Sequence, residues 1–310
     1  MVDFGADVPF AKASTKLKEH YGIEVPVSAI RSVTEKHGAA ALAREKQGSP
    51  LPDRPGIAVL IAEADGSMVP VVETAEAAKK EEERIDRRKT RKLDWREVRL
   101  CLVHQPGSVT PFFGATTESV DKTGERLWEC SIEAGAGIHT KIHGVGDGAS
   151  WITSQLDLRF GPQAKYLIDF SHLCDYLSAA AKVVAGKDEA VWMEEKKNWL
   201  KDNRWPEVLE TLRPYLEIET VPDTDAPVRA CYRYISNRPN FLDYKGALAS
   251  GLPIGSGEIE SAHRYVIQVR IKIAGAWWKM ENVAKMIALR VMRINGQWEA
   301  YWENCGKKAA

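Results

Sequence analysis

Three acidic residues, far apart in the sequence, have the chemistry to hold metal ions together. Asp65 lies in EADGSMVPV, Asp147 in VGDGASW and Glu260 in GSGEIESAHR. The two aspartates each follow a short apolar run typical of a strand, and Glu260 lies in the first turns of an amphipathic helix. Carboxylate oxygens suit Mg²⁺, and two such ions can activate a water or 3′-hydroxyl and stabilise the leaving oxygen of a phosphodiester. The pattern predicts a phosphodiester-processing site in which these residues bind Mg²⁺, with Mn²⁺ able to substitute.

Each acid also has a simpler interpretation, which the residues alone leave open. Asp65 and Gly66 form a dipeptide that is common in the turn of a β-hairpin. Asp147, with a glycine on each side, could belong to an ordinary loop. Glu260 lies at the edge of an apolar helical stripe, where a carboxylate can pair with a base instead of a metal. That stripe consists of Ile259, Ala262, Val266, Val269 and Ile273.

The elements that must position these acids begin with a helical region at residues 1–50. Two short helices flank YGIEVP, the pattern of a helix-turn-helix, and Ser28, Arg31 and Ser32 are expected to face outward from the second helix. Two packed helices without DNA are an equal alternative. The Pro- and Gly-rich segment GSPLPDRPG ends this region.

The core is predicted at residues 56–187 and 253–303, with a helical insertion at 188–252 between its two parts. Its first part begins with two strands joined at Asp65-Gly66, a charge-rich insertion at 75–97 and a third strand at REVRLCLVH. After a loop containing TPFFGATT come a helix at GERLWECSIEAG, a strand at TKIHGVGDG, and a strand and helix at QAKYLIDFSHLCDYLSAAAKVV. Its second part begins with the helix that carries Glu260.

This order of elements predicts an α/β fold of the ribonuclease H-like, retroviral integrase type. Its features would be a mixed sheet, flanking helices, an all-helical insertion and an N-terminal helix-turn-helix. If the first and fourth strands are neighbours, Asp65 and Asp147 meet at one edge of the sheet. A helix crossing that edge would then bring Glu260 to them.

Composition restricts the partners and the compartment. Lys plus Arg and Asp plus Glu each number 43, so DNA binding would depend on local clusters rather than on net charge. One cluster, at residues 84–99, has eight basic and three acidic residues, and another, at 264–293, has seven basic and one acidic. Five widely spaced cysteines favour reduced thiols, and neither a signal peptide nor a membrane span is recognisable. We expect a cytoplasmic, nucleoid-associated protein without a membrane partner.

Four segments, EADGSMVPV, VGDGASWI, YLIDFSHLCDYL and GSGEIESAHRYVIQVRIKIAGAWW, resemble in this order the core of bacterial insertion-sequence DDE transposases of the Mutator-related branch. The last segment is the most specific, because the family has a Gly-x-x-E-S start, an Arg-x-Lys pair and a Gly-x-x-Trp end. The resemblance covers about residues 57–300. It implies that Asp65, Asp147 and Glu260 are the metal-binding catalytic triad, and it favours Glu260 over Glu258 because the family's glutamate precedes the small residue at Ser261.

The resemblance also implies further roles. Asp169 and His172 match the aspartate-x-x-histidine signature of the branch and would be accessory residues near the site. The partners would be double-stranded DNA, both transposon ends and target, and the protein would act as a homodimer or larger assembly. The expected phosphate contacts, which predict binding that weakens steeply with salt, are Arg31, Arg88, Arg91, Lys92, Arg264, Arg270 and Lys272.

Two other functions remain as alternatives. One is an inactive or domesticated transposase-derived DNA-binding protein, which would bind ends without needing metal. The other is a ribonuclease H-type metal-dependent nuclease, which would cleave DNA without joining it.

Overall fold

The computed structural model describes residues 1–74 and 91–309 of the chain. It is a mixed α/β protein whose strands form one sheet in the order β3-β2-β1-β4-β5. β1 pairs antiparallel with β2, and β2 with β3, whereas β4 pairs parallel with β1 and β5 parallel with β4. The strands are Val59–Thr74 (β1), Arg91–His104 (β2), Phe112–Thr116 (β3), Lys141–Gly146 (β4) and Ala164–Ile168 (β5).

Helices cover both faces of the sheet. The N-terminal helices are Val2–Asp7 (α1), Phe10–Tyr21 (α2) and Val27–Leu42 (α3), and those between strands are Val120–Glu133 (α4) and Ser150–Phe160 (α5). After β5 come Phe170–Val184 (α6), Glu189–Lys201 (α7), Trp205–Leu212 (α8), Pro227–Ser236 (α9) and Tyr244–Ala249 (α10). The last are Gly257–Ala262 (α11), a π-helix at His263–Gln268, Val269–Ile271 (α12), Met280–Ile294 (α13) and Trp298–Ala309 (α14).

Alternation along β1 divides the core into two layers. Leu60, Ala62 and Ala64 pack against α4 and α5 on one face. Val69 and Val71 pack on the opposite face against the π-helix and α13. Because side chains alternate along a strand, Glu63 and Asp65 share the second face with the two valines. The start of the helix that carries Glu260 lies over this face.

The predicted hairpin turn at Asp65-Gly66 is wrong. Both residues lie within one continuous strand and pair with Leu100 and Arg99 of β2. Gly66 provides room rather than a turn, since a Cβ atom there would lie on the carboxylate of Glu97 across the ladder. Asp65 is therefore in the middle of β1 and not at its end.

Other predicted elements are partly revised. The segment around TPFFGATT, expected to be a loop, contains β3 at the edge of the sheet. Of the predicted charge-rich insertion, residues 91–97 belong to β2, and 75–90 lie outside the described residues. The strands before Asp147 and Asp169, the two N-terminal helices around YGIEVP and the helical character of 188–250 are confirmed.

The N-terminal helices share a core with the C-terminal ones. Val2, Ala6 and Ala41 belong to the cluster that contains Val266 and the apolar face of α13. Ser28, Arg31 and Ser32 of α3 are exposed, as predicted. In the described residues no helix combines the length and apolarity that crossing a bilayer requires.

Candidate functional site

The first two acids lie on neighbouring parallel strands. The last ladder pair between β1 and β4 joins Glu63 to Val145, which lie two residues before Asp65 and Asp147 respectively. Asp147 directly follows β4 and is half-buried, and the side chain of Asp65 is 39% exposed. The parallel pairing thus brings together the two chain segments that carry these carboxylates.

A buried glutamate attaches the helix of the third acid to β1. Glu63 is 2% exposed, and its Oε2 accepts a hydrogen bond of 2.9 Å from the backbone N–H of Ile259 in α11. The first N–H groups of a helix lack intrahelical partners, so a carboxylate there satisfies a free donor. Glu63 therefore holds the first turn of α11 against the sheet, one residue before Glu260.

The helix directs its two glutamates to opposite sides. Glu258 Oε2 lies 3.2 Å from Nε2 of His104, which belongs to β2. Residues two apart on an α-helix are about 200° apart around its axis. Glu260 therefore lies on the side of α11 that faces away from His104.

Negative charge is concentrated around Glu63, where α11 packs on β1. The pKa of Glu63 is raised to about 8, chiefly by burial, and the carboxylates of Glu258, Asp169 and Glu260 raise it further, while the hydrogen bond from Ile259 opposes the shift. In the described residues, no three His, Cys, Asp or Glu side chains converge closely enough to hold a metal ion as they stand. Among the described residues Asp65, Asp147 and Glu260 therefore do not form a closed ligand set.

His263 is a residue of this region that the sequence reasoning missed. It is 3% exposed, and its Nε2 lies 3.3 Å from Asp65 Oδ2. Neither ring nitrogen has a hydrogen-bond partner in the described residues. His263 begins the π-helix, a feature that often marks functional sites. The available signal was its position three residues after Glu260, on the same side of a helix.

The loop after β4 is held by the helical insertion. The hydroxyl of Tyr234 in α9 donates to the carbonyl oxygen of Asp147 at 2.6 Å, and Arg238 Nε donates to that of Gly148 at 3.2 Å. The N–H of Gly148 donates to Tyr166 Oη at 2.9 Å. These contacts fix the backbone around Asp147. No local sequence pattern predicts them.

Replacing Gly148 should test how closely this loop is packed. Its φ of +83° is left-handed, and an added Cβ atom would lie 3.0 Å from Arg238 Nε and 3.1 Å from Tyr234 Oη. Gly251 has a φ of +66° with nothing within 4 Å, so it is a matched control for backbone strain. We expect Gly251→Ala to lower the free energy of unfolding by about 1–2 kcal/mol, and Gly148→Ala by roughly 1 kcal/mol more. Equal losses in urea unfolding would contradict the close packing.

The two predicted accessory residues lie beside the acids. Asp169 is 3% exposed, caps α6 through His172 N–H at 2.8 Å, and also accepts hydrogen bonds from Ser256. The ring of His172 packs against Tyr176 and Tyr234. Both residues are therefore near the site, in contact with segments that carry Asp147 and Glu260.

The residues predicted to contact phosphates differ in the exposure of their side chains to solvent. Those with exposed side chains are Arg31, Arg91, Lys92, Arg264 and Lys272. Lys272 Nζ is also within 2.9 Å of Ser67 Oγ. Arg88 lies outside the described residues.

Arg270 requires a correction, because it is 2% exposed and cannot reach a phosphate in this conformation. Its Nε donates to Gly5 O at 3.1 Å, and its guanidinium lies 4.7 Å from the ring centroids of both Phe10 and Trp278. The physical reason is the π-helix, whose wider turns rotate the residues that follow it. Arg270 is turned inward, whereas Val269, expected in the buried stripe, is 51% exposed.

A comparison with known families gives one match. The model of an uncharacterised protein family, UPF0236, matches residues 6–305. No curated protein matches the sequence.

Proposed function

We propose that this chain, which belongs to the uncharacterised protein family UPF0236, is a Mg²⁺-dependent DDE transposase. It would bind the terminal inverted repeats of its own element, cut at the ends and join the liberated 3′-hydroxyl to target DNA. The observation that supports the proposal best is the parallel pairing of β1 with β4, the strands that carry Asp65 and lead to Asp147, together with the hydrogen bond from Ile259 to Glu63 that attaches the helix of Glu260 to β1.

The sheet is consistent with a ribonuclease H-like core. Three antiparallel strands come first in the sequence, and two parallel strands are then added beside β1 through α4 and α5. In such an arrangement the first and fourth strands are neighbours, as the proposal requires. The helices of 188–250 then interrupt the core between β5 and α11.

The residues at this edge suit Mg²⁺ in their chemistry. Asp65, Asp147 and Glu260 offer carboxylate oxygens, the ligands that hard cations prefer. When bound, the metal would activate the attacking water or 3′-hydroxyl and stabilise the leaving oxygen.

The protein's own contribution would be positioning. Glu63 holds α11 on β1, and Tyr234 holds the backbone of Asp147, so the segments that carry these acids are held before DNA arrives. Fixed groups need little rearrangement during reaction, which is a major source of rate enhancement. Arg264, one turn after Glu260 on an exposed position, would contact a phosphate beside the scissile bond.

A cleavage and joining reaction tests this proposal. Duplexes that carry the terminal repeats of the element are incubated with the protein and a supercoiled target, with Mg²⁺, Mn²⁺ or EDTA. The proposal expects products cut at the end and joined to the target, all of which EDTA removes. Cutting without joining would favour a metal-dependent nuclease. Binding without any reaction would favour a non-catalytic DNA-binding protein. Joining two ends also predicts a dimer or larger assembly in complex with DNA.

The second candidate is a non-catalytic DNA-binding protein derived from a transposase. One observation favours it, namely that the described residues contain no closed set of metal ligands. It would bind DNA through exposed residues of α3 such as Arg31, and binding would not depend on metal. Identical binding with EDTA and with Mg²⁺, together with the absence of products, separates it from the transposase.

A further inference from the structure

Asp169 lies where three segments of the chain meet. Its backbone N–H donates to Gly146 O at 2.7 Å, one residue before Asp147. Its carboxylate accepts a hydrogen bond from the backbone N–H of Ser256 and one of 2.6 Å from Ser256 Oγ, four residues before Glu260. The neighbouring N–H of Phe170 donates to Ile254 O at 2.8 Å. One residue thus joins the end of β4 to the segment that leads into α11.

His172, three residues later, acts on the opposite side. Its ring centroid lies 5.8 Å from that of Tyr234, whose hydroxyl holds the carbonyl oxygen of Asp147. His172 also packs against Tyr176 at 5.5 Å, and Tyr176 stacks on Tyr234 at 4.2 Å. The three rings form one packed group that fixes the direction of the Tyr234 hydroxyl.

The environment of Asp169 fits a structural contact better than a metal ligand. The side chain is 3% exposed, and both oxygens are used: Oδ1 accepts from His172 N–H and Oδ2 accepts two hydrogen bonds from Ser256. Few lone pairs remain for a cation. The carboxylate has two structural roles: it caps the N-terminus of α6, and it binds the segment that precedes α11.

From these contacts we propose that Asp169 and His172 form a positioning unit that sets the separation of Asp147 and Glu260. Asp169 would act through Ser256 on the helix of Glu260, and His172 would act through Tyr234 on the loop of Asp147. The inference depends on the proposed function, because positioning these two acids matters only if they act together on metal and DNA.

Local amide exchange tests the positioning without any DNA or metal. Asp169→Asn and Ser256→Ala each alter the contact that precedes α11. Tyr234→Phe alters the contact with the Asp147 loop, and Tyr176→Phe is its matched control. Tyr176→Phe keeps the stacked rings and removes a hydroxyl that does not contact the Asp147 loop. We expect Asp169→Asn to accelerate hydrogen exchange about tenfold or more in the peptide at 254–262, and Tyr234→Phe to do so at 145–150. Tyr176→Phe should leave both peptides unchanged.

Calorimetry on the same proteins tests whether these positioning contacts affect the binding of Mn²⁺. We expect Asp169→Asn and Tyr234→Phe each to weaken Mn²⁺ binding by about 10–100-fold, the range for residues that orient ligands. Ser256→Ala should act in the same direction, and combining it with Asp169→Asn should add nothing, because both act through one contact. Tyr176→Phe should bind as the wild type does.

The outcomes separate the inference from the proposed function. Unchanged exchange and unchanged Mn²⁺ affinity in folded Asp169→Asn and Tyr234→Phe proteins would overturn the positioning unit. Localised exchange changes, with a wild type that does not bind Mn²⁺, would support the positioning contacts and overturn the metal site instead. Ser256→Ala and Tyr234→Phe each remove a single hydroxyl, so they remain informative if Asp169→Asn does not fold.

Discussion

Glu260→Gln is expected to reduce DNA joining by at least about 10²-fold, the scale seen when one group that stabilises a transition state is removed, whereas Glu258→Gln keeps most of the activity. The reason is the direction of the two side chains. Glu258 lies beside His104 of β2, and Glu260 lies on the opposite side of α11. Both changes replace one oxygen by an amide nitrogen on the same turn of α11.

This pair of variants compares two acids that differ by two positions in sequence. Joining is measured with precut end duplexes at saturating Mg²⁺, and binding of the same duplexes is measured separately. Both variants should bind end DNA like the wild type. The assignment would be wrong if Glu258→Gln abolished joining and Glu260→Gln did not, because the helix would then present the other face to the metals.

The largest expected effect on stability belongs to Arg290, at the centre of the contact between the terminal helices and the π-helix. It is 6% exposed and donates to Val266 O at 2.7 Å, to Tyr265 O and to Ala6 O at 2.7 Å. It also lies 3.1 Å from Asp7. Arg290→Met would leave these acceptors without a donor, and we expect it to lower the free energy of unfolding by about 3–5 kcal/mol.

Arg293 is the control, because it lies three residues further along the same helix. It pairs with Asp7 at 2.6 Å and with Asp3 at 3.0 Å, but its side chain is 33% exposed. Ion pairs of this kind contribute roughly 0–1 kcal/mol, so Arg293→Met should have a small effect. Urea unfolding of the two variants measures the difference. Similar losses for both would contradict the view that Arg290 joins these segments through buried carbonyl groups.

Local sequence patterns predicted most of the elements near the site. The strand before Asp147, the strand and helix around Asp169, and the helix beginning near Gly257 follow from apolar periodicity and glycine boundaries. The prediction failed where one local sequence pattern is compatible with two structures. Asp65-Gly66 is typical of a hairpin turn, yet the ladder with β2 continues through it, since pairing along a whole strand outweighs one turn signal.

The π-helix is the clearest limit of periodicity. The spacing of Ile259, Ala262, Val266 and Val269 fits an ordinary α-helix, and sequence gives no reason to add a residue to a turn. Tertiary contacts, including the carbonyl groups held by Arg290, stabilise the wider turn. As a consequence Arg270 is buried, and its predicted phosphate contact is excluded in this conformation.

Long-range contacts around the acids could not be predicted from one sequence. The bond from Ile259 to Glu63 spans 196 residues, and that from Ser256 to Asp169 spans 87. Neither has a local signature, although the spacing of Glu63 and Asp65 places both on one face of a strand. The three acids are a prediction from the sequence, whereas the contacts of the segments that carry them required the structure.

Strand joining by purified protein tests directly whether Asp147 takes part in DNA transfer. Precut duplexes from the element's own ends, a supercoiled target and Mn²⁺ are combined with wild-type protein or with Asp147→Asn, and Asp157→Asn serves as an exposed control. We expect joined products with the wild type and with Asp157→Asn, and none with Asp147→Asn or with EDTA. Binding of the end duplexes by wild type and Asp147→Asn alike, without joined products from either, would contradict the catalytic role and leave a DNA-binding protein.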